Sequence, residues 1–86
     1  MSDFYMELEE NLRNETEKWL KKINDEAQHI SLKDKSRDYM VTNIHAYIKD
    51  AEIFLKENKL IMAFEAVLWA WAIYETMKEL DIIEYS

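Results

Sequence analysis

Apolar residues recur along the chain at steps of three and four, with charged residues between them, in three successive stretches. That period is helical, because 3.6 residues per turn bring positions i, i+3 and i+4 onto one face. The first stripe is Tyr5, Leu8, Leu12, Thr16, Trp19, Ile23, Ala27 and Ile30, opposite Glu7, Glu10, Asn14, Glu17, Lys21 and Asp25. It predicts a long helix from a cap at Ser2 or Asp3 to about His29. The second stripe is Met40, Val41, Ile44, Tyr47, Ile48, Ala51, Phe54 and Leu55. Ser31-Leu32-Lys33-Asp34 reads as a variant capping box that opens this helix with almost no linker, and Asn58 as its left-handed C-terminal cap. So short a connection to the third stripe makes helices two and three an antiparallel hairpin.

The third stretch, from about Leu60 to Leu80, carries two apolar seams. One is Leu60, Phe64, Val67, Trp71 and Tyr74, flanked by Ala63 and Ala70; the other is Met62, Ala66, Trp69, Ile73, Met77 and Leu80. At 100° per residue their centres lie about 140° apart. A helix apolar on two sides needs two covers. Helices one and two supply them in an up-down-up three-helix bundle, the fold class this pattern predicts, with packing of the Trp69 seam against helix one weighed against contact with another molecule. Met62, Trp69, Ile73 and Leu80 are therefore the candidate interface. The tail from Asp81 reads as an extension of the last helix, with Ile82 continuing the first seam.

Composition narrows the picture. The 86 residues form one all-α domain, 1–86, and contain no Gly, Pro or Cys. Gly-rich phosphate loops, disulfides and thiolate chemistry are thereby excluded. The net charge is −7, from 18 acids against 11 bases, which argues against phosphate neutralisation as the main task. Residues 1–17 hold six acids and one base, whereas 18–51 hold seven bases and five acids. The uninterrupted apolar run Ala66–Tyr74 is nine residues, short of the roughly 20 of a membrane span. No signal or transit segment is visible, and a cytoplasmic location without membrane attachment is the expectation.

The segment 47–72, YIKDAEIFLKENKLIMAFEAVLWAWA, resembles the hairpin of an archaeal family known as domain of unknown function 357. The positions that carry the resemblance are Tyr47, Asp50, Ala51, Phe54, Leu55, Ala63, Phe64, Ala66, Ala70 and Ala72. Asn58-Lys59 stands where that family tends to have Gly-Asp, and its His-Gly and later Asp-Ala-Gly are missing here. The resemblance implies a three-helix bundle and brings no activity with it.

Candidate chemistry is sparse. Glu26-Ala27-Gln28-His29 has the Glu-x-x-His spacing of di-iron carboxylate bundles, but the second such pair is missing. Asp50 reads as a boundary carboxylate bonded to Tyr47 or to the next helix, and His45 as a solvated side chain. The expectation is a non-enzymatic module without a cofactor, which associates with itself as a homodimer or with another protein. Two alternatives stand beside it: a metal-binding or enzymatic domain using Glu26, His29 or Asp50, and an RNA accessory using Lys18, Lys22, Lys33, Lys35 and Arg37.

Overall fold

The computed structural model describes residues 2–84, in which three helices pack as an up-down-up bundle: α1 (Ser2–Ala27), α2 (Asp38–Lys56) and α3 (Leu60–Glu79). The bundle follows from the stripes. Thr16, Leu20, Ile23 and Ala27 of α1, Ile44, Ile48 and Ala51 of α2, and Ala63, Val67, Ala70, Tyr74 and Met77 of α3 are buried. Four of these are alanines, whose small side chains let neighbouring helix backbones approach closely. Thr16 is a polar member of the core, and its hydroxyl is satisfied by donating to the Leu12 carbonyl at 2.7 Å.

Two expectations for α1 need correction. Leu20 rather than Trp19 continues the buried row, because Thr16, Leu20, Ile23 and Ala27 keep the helical step while Trp19 falls to the flank, 40% exposed. The start of the stripe is bare as well: Tyr5 is 59% and Leu8 51% exposed. Length explains this. At 1.5 Å per residue α1 is about 39 Å long, whereas α2 and α3 reach about 30 Å. Arg13 donates to the side chain of Asn58 at the α2–α3 turn, so the turns of α1 before it overhang the bundle. The overhang draws the long axis out to 51 Å against 19 and 17 Å across. The cap expected of the Ser2 side chain lies outside the described residues.

Both of the later helices end in the same device. Asn58 has φ 60°, the Lys59 N–H donates to the Phe54 carbonyl at 2.8 Å and the Asn58 N–H to that of Leu55 at 3.1 Å. This is a Schellman cap, with asparagine in the left-handed place that glycine usually takes. Asp81, at φ 54°, repeats it after α3: the Ile82 N–H donates to the Met77 carbonyl at 3.2 Å and the Asp81 N–H to that of Lys78 at 3.1 Å.

That second cap overturns the expected helical tail. The chain turns at Asp81, and β2 (Ile83–Glu84) pairs antiparallel with β1 (Ser31–Leu32), Ser31 opposite Glu84 and Leu32 opposite Ile83. Ile82 and Ile83 are both buried, closing the end of the bundle. Residues 85 and 86 of the same expected extension lie outside the described residues. The capping box is corrected with it. Ser31 belongs to the strand pair, Asp34 caps a 3-10 turn over Lys35–Arg37, and α2 begins only at Asp38.

Candidate functional site

The outer side of α3 is where the structure departs most from a closed bundle. The seam containing Trp69 divides along its length. Ala66 and Met77 turn inward and are buried, Ile73 is half-buried, and Met62, Trp69 and Leu80 are 46%, 58% and 51% exposed. The dividing cause is angular, since Ala66 and Met77 lie on the side of the seam nearer the buried face and Met62, Trp69 and Leu80 on the side farther from it. Of the expected interface residues, only Ile73 thus has much of its surface covered within the chain.

The Trp69 indole is held in place. It stacks on Tyr47 of α2, ring centroids 6.2 Å apart at an interplanar angle of 19°, so the two rings form one flat apolar ledge across the α2–α3 groove. Ile61 and Leu68 are also exposed, but they lie about 100° around α3 from the ledge, with Glu65 and Thr76 between. By length and composition α3 is long and apolar enough to cross a membrane. Here one face of it lines the core and the other carries the ledge.

On the opposite flank of α3, Trp71 meets α1. Its indole N–H donates to the Trp19 carbonyl at 3.0 Å, and the two rings meet edge to face at 5.8 Å and 84°. Trp19 in turn donates to Glu15 at 3.1 Å and lies under the Lys22 ammonium, 4.5 Å from the ring centre. Phe64, Val67 and Leu68 join the two tryptophans around an apolar crevice of about 510 Å³. Together these contacts pack the first seam on α1.

The residues proposed for chemistry are scattered. The Glu26 carboxylate accepts the Tyr74 hydroxyl at 2.8 Å, which gives it a structural partner across α1 and α3. His29 follows α1 and is exposed, as are His45 and Asp50 on α2. The bond expected from Asp50 to Tyr47 or to the next helix is not made. Among the described residues no three His, Asp or Glu side chains gather as metal ligands would. The basic residues are dispersed too. Lys18 and Lys22 lie over the Trp19 ring, Lys33 pairs with Asp81 at 2.9 Å and Arg37 with Asp34 at 3.9 Å.

The acidity of Asp34 is clearly displaced. Hydrogen bonds from the Ser36 hydroxyl, at 2.6 Å, and from the Ser36 N–H, at 3.0 Å, hold its carboxyl below the usual value, with a further contribution from Arg37. This stabilises the corner before α2.

The comparison with solved structures decides the family. The chain is similar to protein AF1782 from Archaeoglobus fulgidus, a DUF357 protein of known crystal structure, at 40% identity over 92% of this chain and 99% of that one, with a TM-score of 0.80. The chain belongs to the DUF357 family. No family model and no curated protein matches it directly. Most positions of the DUF357 resemblance have physical roles, Asp50 and Ala72 being exposed. Ala51, Ala63, Ala66 and Ala70 are the buried small residues of the α2–α3 hairpin, Tyr47 supports Trp69, and Phe54, Leu55 and Phe64 are half-buried at its margins. Asn58 occupies the left-handed turn position where the family tends to have glycine.

Proposed function

We propose that this DUF357 domain is a protein–protein interaction module that works by helix-face packing and performs no catalysis. The observation that carries the reading is the exposed row Met62, Trp69 and Leu80 on the helix that also builds the core. Large apolar side chains are costly to leave in water, at about 25 cal/mol per Å². An exposed tryptophan in such a row is the kind of residue that anchors interfaces. The ledge is also prepared for binding, because stacking on Tyr47 fixes the indole before a partner arrives and reduces the entropy lost on contact.

The dispersal of the acidic and imidazole groups favours this reading over a catalytic one. Catalysis needs a base oriented beside a nucleophile or a bound group. Glu26 is instead engaged by Tyr74, and His29, His45 and Asp50 are spread over exposed surface.

The experiment compares the wild-type protein with Trp69→Glu by light scattering and by binding of an apolar-surface dye. The wild type is expected either to associate or, as a monomer, to bind the dye. The variant is expected to do neither while keeping its helicity. A wild type that stays monomeric and binds no dye would overturn the reading.

A further inference from the structure

We infer that the overhanging end of α1 is a docking surface in its own right, and that its partner is a basic amphipathic helix of another protein. The inference goes beyond the Trp69 reading and does not depend on it.

The shape of the surface is the first support. The turns of α1 before Arg13 make about 16 Å of helix beyond the contact with Asn58. Tyr5, Leu8 and Leu12 prolong the row of Thr16 and Ile23, so the core-facing side of α1 runs on past the α2–α3 turn. Their spacing, i, i+3 and i+7, is the one by which an amphipathic helix anchors to its partner. Phe4 meets Tyr5 edge to face, with ring centroids 5.7 Å apart at 75°. At the foot of the step, Glu9 and Leu12 of α1 face Leu60 and Ile61 of α3 around a crevice of about 410 Å³. One helix standing above the blunt end of two others leaves a place that a further helix fills.

Charge selects the partner. Asp3, Glu7, Glu9 and Glu10 precede the first base, Arg13, which is itself engaged by Glu17 and Asn58. Among the described residues no lysine or arginine pairs with any of the four. Only Asp3 stands in the first turn, where the helix dipole favours an acid. Asp3 and Glu7 at i, i+4, and Glu7 and Glu10 at i, i+3, repel each other. Most helices draw their stability from tertiary packing, which this end of α1 lacks. A helix with an apolar stripe and flanking lysines or arginines relieves both defects. Its stripe covers Tyr5 and Leu8, and its cations meet Glu9 at the edge of the row with the other three carboxylates behind it. Nucleic acid and anionic bilayers are repelled by the same four charges. A second copy of the chain would bring the same acids to the same place.

The test titrates the full chain, isotope-labelled for NMR, with two designed amphipathic helical peptides. One is built of leucine and lysine, and the other has glutamate at every lysine position. With the lysine peptide, the backbone amides of 3–12 and 58–61 are expected to shift; with the glutamate peptide, none is. Leu8→Ala and Glu9→Gln are each expected to weaken the binding about fivefold or more, as loss of an interface anchor does. Both alter exposed side chains, so the unbound helicity should stay as in the wild type. Added salt should weaken the binding as well, because it screens exposed charges. No shift at about millimolar peptide, equal shifts from both peptides, or shifts spread over the acidic residues of all three helices would overturn the inference. Shifts centred on Trp69 would overturn it too, and would leave the proposed function standing.

Discussion

The indole N–H of Trp71 donates to the backbone carbonyl of Trp19 at 3.0 Å, fastening α3 to α1 across 52 positions of sequence. A helical carbonyl has a second lone pair, so this bond is made without giving up one of the helix's own. It fixes the first seam of α3 on α1 and thereby sets the direction in which Trp69 faces outward. Trp71→Phe keeps an aromatic ring, smaller than the indole, and removes the donor. The expected cost is about 1 kcal/mol, read from urea unfolding followed by circular dichroism. An unchanged midpoint would show that solvent replaces the bond at no cost.

Asn58 and its positive φ govern the hairpin. Asn58→Gly and Asn58→Ala both lose the contact with Arg13, so the difference between them isolates the backbone. The glycine variant should be the more stable by about 1 kcal/mol, because only alanine pays for a Cβ in the left-handed region. Equal stabilities would mean that the turn relaxes to another conformation.

The strand pair and the overhang make opposite predictions about apolar side chains. Ile83→Ala should cost about 2–4 kcal/mol, since Ile83 is buried where β2 closes the bundle. Leu8→Ala should change stability by no more than about 0.5 kcal/mol, because that part of α1 overhangs the bundle. Thermal unfolding of the two variants side by side checks the pair. A large loss at Leu8 would show that the overhang is packed in solution.

Most of the helical architecture was legible in the sequence because it depends on local period. The stripes of α2 and α3, the short turn and the left-handed Asn58 all follow from residue type and spacing. The two-residue strands did not, because Ser31-Leu32 and Ile83-Glu84 are too short to show alternation and are joined only by the fold. Asp81 does carry a signal in the sequence, because aspartate, like asparagine, tolerates a positive φ, and it stands where the apolar period stops. The bare start of α1 was illegible for another reason. Periodicity tells which side of a helix is apolar and says nothing of whether a neighbour is long enough to cover it.

The candidate site was partly legible. The seam through Met62, Trp69, Ile73 and Leu80 could be drawn from spacing alone, yet spacing could not divide it into the buried Ala66 and Met77 and the exposed remainder. Angular position relative to α1 and α2 makes that division, and it requires the packed structure. The stacking of Tyr47 under Trp69 joins two helices and has no signature in the period of either.

Acid should loosen the corner before α2. The Asp34 carboxyl is held below its unfolded value by Ser36, so its contribution is fully present above the unfolded pKa and is lost as pH falls through the folded one. Ser36→Ala removes the hydroxyl bond while keeping the N–H. Proton titration followed by NMR should show the Asp34 pKa rising toward the ordinary aspartate value in that variant. No movement would assign the depression to the backbone N–H and Arg37 alone.

Trp69 and the exposed edge of its seam, Met62 and Leu80, are surface and not core, and far-ultraviolet circular dichroism of Trp69→Glu with a thermal melt tests this most directly. The variant should keep wild-type helicity at low protein concentration, with a melting midpoint shifted by no more than a few degrees when both proteins are monomeric. Loss of the helical signal, or collapse of the cooperative melt, would place Trp69 inside the fold instead.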